Sequence, residues 1–132
     1  MLQANHLGGI GGQIQTISVC ADGAYGGAAV HDSVAFIPCA DGLREIQLGS
    51  GGTLNIGWQA SGQVSGSPVI GGNTVYSLNP GGGTLYALNA ATGSVRASVP
   101  VGTTSRFATP TLFQNTIFVG TMKGIVAVQI RT

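Results

Sequence analysis

The sequence predicts an all-β fold, because most of its residues fall into short strand-like runs that recur along the chain. The segment 66–89, GSPVIGGNTVYSLNPGGGTLYALN, returns in altered form at 108–129, ATPTLFQNTIFVGTMKGIVAVQ. Pro68 and Pro110 therefore stand 42 residues apart, and a weaker copy of the same pattern occupies 26–48. A period near 40 residues that is built from short β-type runs is typical of β-propeller blades.

Each repeat predicts one blade, a four-stranded antiparallel meander. In the central repeat, the alternation of apolar and polar residues predicts strands at 67–70, 74–78, 84–89 and 94–99. Turns rich in Gly, Pro and Asn separate these runs. The first repeat predicts strands at 27–31, 34–38, 43–48 and 53–59, and the last predicts strands at 109–113, 116–120 and 124–130. We therefore expect about three blades, at 26–60, 66–100 and 107–132, with Trp58 as a packing wedge between blades.

The N-terminal segment, 1–25, contains one further strand-like run. Residues 13–20, QIQTISVC, carry Ile14, Ile17 and Val19 in a broken alternation. Because the last repeat has only three predicted strands, this run is a candidate closing strand for a blade. Three blades do not close a ring, so we expect the run to complete a blade of another copy, with a homodimer as the simplest homo-oligomer. The alternative is that the chain is a fragment of a longer propeller.

The composition argues against several classes of function. Only 7% of the residues are charged, and the formal net charge is +1. The cations are scattered, so we expect no nucleic-acid binding. No window approaches the roughly 18 unbroken apolar residues of a spanning helix, and no cationic region followed by an apolar one marks a signal peptide, so we expect no membrane insertion. The shortage of Lys and Glu suits an exported protein, which predicts an extracytoplasmic location, periplasmic or secreted.

Cys20 and Cys39 are the two cysteines of the sequence. They lie on either side of the first predicted strand, where a disulfide would indicate an oxidising compartment. The alternative is that both are small buried hydrophobic residues with free thiols. The spacing leaves both arrangements open.

The central repeat resembles a known family. The runs GTLYALNAATGSV at 83–95, GSPVI at 66–70 and GNTVY at 72–76 are similar to the repeat of quinoprotein-type β-propellers. That family includes pyrroloquinoline quinone (PQQ) dehydrogenases and BamB-type outer-membrane assembly scaffolds. The resemblance extends over about 26–130 and is strongest in the central repeat. It implies a PQQ-like propeller fold rather than an activity.

Departures from the family argue against its redox chemistry. Quinone-dependent members resemble one another in a pair of adjacent cysteines and in a cluster of acidic and amide ligands for calcium. Here no two cysteines are adjacent, and the four acidic residues all lie within the first 45 residues of the chain: Asp22, Asp32, Asp41 and Glu45. No residue can therefore be assigned as a ligand of PQQ or calcium, and neither a cofactor nor a metal is expected.

His31 and Asp32 form the one pairing with catalytic character, with Asp41, the two cysteines and His6 nearby in the sequence. A His–Asp pair can hold a water molecule, and a Cys–His pair can generate a thiolate nucleophile. However, His31 and Asp32 occupy the place of a turn in the other repeats, which favours an exposed hairpin tip. The common nucleotide, zinc and hydrolase motifs are absent from the sequence.

Tyr25 and Arg106 are candidate ligand-binding residues because of their positions. Ligands of propellers collect at the central channel and its mouths, where loops from all blades meet. Arg106 just precedes the first strand of the last repeat, so its side chain is expected near the channel. We therefore expect a non-enzymatic binding or scaffold module for a small-molecule or protein ligand. The alternative is an enzyme with a site on the ring axis, either a hydrolase that uses His31 and Asp32 or a relict quinone-dependent dehydrogenase.

Overall fold

The structure is a computed structural model that describes Asn5 and residues 8–131. In this part of the chain, eleven β-strands form three antiparallel sheets, and a 3-10 turn occurs at Ser50–Gly52. Blade 1 contains β1 (Ala29–His31), β2 (Val34–Ile37), β3 (Arg44–Leu48) and β4 (Leu54–Gln59). Blade 2 contains β5 (Val69–Gly71), β6 (Thr74–Asn79), β7 (Thr84–Asn89) and β8 (Val95–Pro100). Blade 3 contains β9 (Thr111–Phe113), β10 (Thr116–Thr121) and β11 (Gly124–Gln129).

Each blade is a meander in which every strand pairs with the next strand of the chain. The sheet orders are β1-β2-β3-β4, β5-β6-β7-β8 and β9-β10-β11. The inner strands of neighbouring blades approach each other, with β1 beside β5 and β5 beside β9. The predicted all-β fold of antiparallel propeller blades is therefore confirmed, with three strands in the last blade over the described residues.

The hydrophobic core lies between the blades rather than within them. The buried side chains between blades 1 and 2 include Phe36, Leu43, Val64, Val75 and Leu88. Those between blades 2 and 3 are Tyr76, Leu78, Leu85, Val101, Ile117 and Val119. Because side chains alternate across a strand, β6 directs Val75 toward blade 1 and Tyr76 toward blade 3. Burial of each large apolar side chain contributes about 1.5–3 kcal/mol, so each blade depends on its neighbour for stability.

Trp58 packs between blades 1 and 2, as predicted. Its ring centroid lies 5.6 Å from that of Phe36, and its indole N–H donates to the carbonyl oxygen of Ala90 in blade 2 at 2.9 Å. The backbone of Gly93 lies against the indole, since a Cβ there would stand 2.5 Å from Cε3 of Trp58. Gly93 also has a φ of +72°, a conformation that side-chain-bearing residues rarely adopt. Glycine is therefore required here by both space and backbone angle.

The proline residues explain where several strands begin and end. β5 and β9 start two residues later than predicted, because Pro68 and Pro110 have no N–H to donate to a ladder. β2 ends at Ile37, one residue earlier than predicted, because Pro38 follows it. The other strands of the three blades match their predicted positions to within two residues.

Residues 13–20 form no strand in the single chain, in contrast to the prediction. A strand forms only where its N–H and C=O groups pair with a neighbouring strand, and the run belongs to none of the three sheets that the described residues form. The side chains of the run nevertheless alternate in exposure. Gln15, Ile17 and Val19 are half-buried, whereas Thr16 and Ser18 are exposed. The role of the run as a closing strand for another copy stays a prediction.

A disulfide joins Cys20 to Cys39, with a Cα–Cα distance of 5.2 Å. Cys39 is fully buried just after β2. The bond therefore ties the N-terminal segment to blade 1 and closes a loop that contains β1 and β2. Of the two arrangements that the sequence left open, the structure contains the disulfide.

We expect Trp58→Ala to lower the free energy of unfolding by about 3 kcal/mol, because it empties a volume between two blades and removes a hydrogen bond across them. Urea denaturation followed by circular dichroism measures this change. Val95→Ala is the matched control, because Val95 is exposed on the outer strand of blade 2 and its truncation should cost less than about 0.5 kcal/mol. Equal losses in the two variants would show that the indole does not hold the blades together.

We expect reduction of the disulfide to lower the free energy of unfolding by about 3 kcal/mol, because it releases a closed loop in the unfolded chain. The cysteines are 19 positions apart, which sets the length of that loop. Urea denaturation with and without a phosphine reductant measures the difference. The double variant Cys20→Ser, Cys39→Ser is the control, and its free energy of unfolding should be the same with and without the reductant. A wild-type chain that unfolds identically in both conditions would contradict the expectation.

Candidate functional site

The loops that lead into the three inner strands meet at one end of the blades. Tyr25 and Ser65 stand four residues before β1 and β5, and Arg106 stands five residues before β9. All three line one pocket of about 180 Å³, which is completed by Ala40, Asn79, Pro80 and Gly81. The pocket is thus built from equivalent positions of the repeat, at the end where each outer strand returns to the next inner strand.

The segment that carries Tyr25 is fixed to blade 1. The disulfide joins Cys20 to Cys39, and Ala24 pairs with Cys39 in an isolated antiparallel bridge. The N–H of Tyr25 donates to the carbonyl oxygen of Pro38 at 3.4 Å. Tyr25 is therefore held at the pocket by its backbone, which leaves its ring available for contacts with other groups.

The guanidinium of Arg106 lies over the ring of Tyr25, with its central carbon 4.7 Å from the ring centroid. A cation–π contact of this kind contributes about 0.5–1 kcal/mol at an exposed site. The loop before Arg106 is anchored to blade 2, because the N–H of Thr104 donates to the carbonyl oxygen of Pro80 at 3.2 Å. The structure therefore brings together the two predicted ligand-binding residues, which are far apart in the sequence.

The electrostatics of the pocket favour an anion. In the part of the chain that the structure describes, Arg106 has no carboxylate partner, whereas Arg44 pairs with Asp41 at 2.8 Å. A guanidinium carries five N–H donors in a plane and binds a carboxylate through two of them. Asn79 accepts the N–H of Gly82 through its Oδ1 at 3.1 Å, so its amide NH₂ group is left as a donor. The pocket thus combines a positive charge with hydrogen-bond donors.

His31 and Asp32 lie at the opposite end of blade 1, where His31 ends β1 and Asp32 begins the turn to β2. His31 Nε2 stands 3.4 Å from Asp32 Oδ2, and the two side chains are 55% and 84% exposed. Asp32 has a φ of +52°, in the left-handed region that Asp tolerates in tight turns. Cys20 and Cys39 share a disulfide, so neither supplies a thiolate to His31. The structure therefore favours the hairpin tip over a catalytic pair.

The described residues show no cluster that could hold a metal ion through three or more His, Cys, Asp or Glu side chains. His6, which the sequence placed near the candidate pair, lies outside the described residues. Over the same part of the chain, no helix has the length and apolar character needed to cross a membrane.

Of the residues that line this pocket, the sequence predicted Tyr25 and Arg106 as candidates but not Ser65 and Asn79. Ser65 holds the position of Tyr25 in the next repeat, so the register of the repeats is a signal that identifies it. Asn79 ends β6, and it reaches the pocket only because blades 1 and 3 pack on either side of blade 2. No local sequence pattern carries that information.

The chain has structural neighbours but no match to a protein-family model or to a curated protein sequence. It is similar to the crystal structure of BamB from Moraxella catarrhalis, with a TM-score of 0.64 and 22% identity, over 82% of this chain and 34% of that one. It is also similar to the computationally designed Ika8 protein, with a TM-score of 0.56 and 16% identity, over 78% of this chain and 32% of that one. The chain therefore spans about a third of the length of each neighbour. At these identities the likeness shows the fold, an all-β array similar to the propeller blades of BamB.

Proposed function

We propose that this chain is a non-enzymatic β-propeller module that binds a carboxylate group of a partner at Tyr25 and Arg106. The observation that carries the proposal is the exposed guanidinium of Arg106, stacked 4.7 Å from the centroid of the Tyr25 ring. Stacking restricts the rotamers of a long side chain, so less conformational entropy is lost when a carboxylate binds. The pocket also lies where the loops before three inner strands converge, and propellers bind ligands at such positions.

The size of the pocket limits the group that it accepts. Its volume of about 180 Å³ is below the roughly 300–1,000 Å³ of sites for drug-sized molecules. A single acidic side chain fits this volume, whereas a quinone cofactor or a nucleotide exceeds it. We therefore propose binding without a cofactor.

The surroundings of Arg106 favour a protein as the source of the carboxylate. Phe107, the next residue, is 67% exposed. Arginine and aromatic residues are enriched at the centres of protein interfaces, where they contribute much of the binding free energy. An acidic side chain on a partner protein would bind Arg106 while apolar groups beside it cover Phe107.

The enzymatic alternatives have no comparable support. The hydrolase hypothesis requires His31 and Asp32 to act on a bound substrate, but both side chains are more than half exposed at a turn. The quinone hypothesis requires a set of acidic ligands, and the sequence offers only four acidic residues, all within its first 45 residues. A binding or scaffold role is therefore the function that we propose. We also propose that the repeats are of the PQQ-like type.

We further propose that the protein works outside the cytoplasm, in the periplasm or after secretion. The disulfide between Cys20 and Cys39 supports this proposal, because disulfides persist in oxidising compartments and are rare in the cytosol.

The test is a titration of the chain with N-acetylglutamate, followed by NMR of the Arg106 side chain and the Tyr25 ring. We expect saturable shifts of both groups, and we expect Arg106→Ala to weaken binding at least about tenfold through the loss of a charge-assisted bidentate contact. Arg106→Lys should weaken binding less, because it keeps the charge but loses the planar fork.

Arg96→Ala is the matched control, because Arg96 is an exposed arginine on β8 that contacts Asn73 and Thr74 away from the pocket. This variant should bind N-acetylglutamate as the wild type does. Equal binding of N-acetylglutamine N-methylamide, which carries no carboxylate, or binding that survives in Arg106→Ala, would overturn the proposed carboxylate site.

A further inference from the structure

The run 13–19 stands at the sequence position of an outer strand. β4 ends ten residues before β5 begins, and β8 ends eleven residues before β9 begins. The same spacing before β1 places the end of an outer strand at 18–19. The run therefore corresponds to the last strand of a blade that would precede blade 1.

The structure places this run beside blade 1 in the direction that an outer strand requires. Gln15 Oε1 accepts the N–H of Leu54, the first residue of β4, at 2.7 Å. Cys20 is bonded to Cys39, which lies at the opposite end of the blade, between β2 and β3. The segment between these two anchors thus runs along blade 1 in the same direction as β4. β4 and β8 share their direction, because β1 and β5 both start at the end where Tyr25 and Ser65 meet, and the fourth strand of each meander runs opposite to its first.

β11 offers a free edge for such a strand. It is the outermost strand of blade 3 over the described residues, and it pairs only with β10. The N–H of Ile130 donates to the carbonyl oxygen of Asn115, on the side of β10, at 2.7 Å. Since successive N–H groups of a strand point to opposite sides, those of Ile125, Ala127 and Gln129 point to the free edge.

A cleft of about 510 Å³ lies beside this edge, between blades 2 and 3. Its apolar lining includes Leu85 and Val99 of blade 2 and Ile117 and Val128 of blade 3. These residues lie where the outer strand of blade 3 would cover the face of blade 2. An added strand would therefore gain both ladder hydrogen bonds and apolar burial.

Exposed apolar side chains mark the two terminal faces of the blade array. Phe113, Phe118 and Ile125 are exposed on the face of blade 3 that points away from blade 2. Val30 and Ile56 are exposed on the face of blade 1 that points away from blade 2. Patches of this kind mark interaction surfaces, and here they lie on the two faces that neighbouring blades of a ring would cover.

We propose that a second copy of this chain inserts its residues 13–19 beside β11, antiparallel to it, as the fourth strand of blade 3. Insertion places blade 1 of the donor against the exposed face of blade 3, so the two apolar faces cover each other. Two copies that exchange these runs form two identical contacts and close a six-bladed ring. The pattern of the run agrees, because Ile14 faces opposite to Ile17 and Val19, which suits a strand that is buried on both faces.

Two measurements on the full chain test this proposal. Size-exclusion chromatography with light scattering should give twice the monomer mass of 13.2 kDa. Hydrogen exchange should show the amides of Ile125, Ala127 and Gln129 at least about tenfold slower than their intrinsic rates, because an inserted strand would accept their hydrogen bonds. A wild-type monomer, or a dimer in which these three amides exchange at their intrinsic rates, overturns the proposal.

Two variants test whether dimer formation depends on the exchanged strand. Ile17→Lys puts a charge in the run but leaves every strand of the three blades intact, so it should give a folded monomer with fast exchange at the β11 edge. Ala127→Pro removes one edge donor of β11 and should also give a monomer. Val95→Lys, an equally drastic change at an exposed residue of blade 2, should remain a dimer. If Ile17→Lys forms the same dimer as the wild type, the run is not the inserted strand and the proposal fails.

Discussion

A blade of this fold cannot bury its own apolar side chains, and this constraint determines the rest of the structure. A single sheet has two faces, and consecutive residues of β6, Val75 and Tyr76, enter two different cores on either side of blade 2. Trp58 shows the same dependence, because its ring and its N–H both act across the contact between blades 1 and 2. The stability of the chain therefore resides in contacts between blades. Three blades have two such contacts and two terminal faces that remain to be covered.

The packing of the blades also forms the candidate binding site. Tyr25, Ser65 and Arg106 meet only because the inner strands of all three blades lie side by side. The disulfide contributes to both proposals, since Cys20 lies between the run 13–19 and Tyr25. It holds the C-terminal end of the run that we propose to be exchanged, and it holds the loop that contains Tyr25. A closed ring of two copies would carry two of these pockets on the same end.

The sequence predicted those features that depend on local chemistry. Alternating side chains and Gly- or Pro-rich turns located all eleven strands of the blades, and the turn position of His31 and Asp32 predicted an exposed tip. Features that depend on residues far apart in the sequence were harder to predict. The run 13–20 has the pattern of a strand but joins none of the three sheets that the described residues form, and the spacing of the cysteines did not decide between a disulfide and free thiols. The sequence pattern did not predict Asn79 as a pocket residue, because only the packing of three blades brings it to the pocket.

The dependence of stability on protein concentration tests the central claim most directly. If the terminal faces of the array are covered by a second copy, dissociation is coupled to unfolding, and the midpoint of thermal unfolding should rise steadily with protein concentration. The slope should disappear in a variant that is monomeric, such as Ile17→Lys. A midpoint for the wild-type chain that stays constant over a hundredfold range of concentration would show that a second copy does not stabilise the fold, and it would contradict the account.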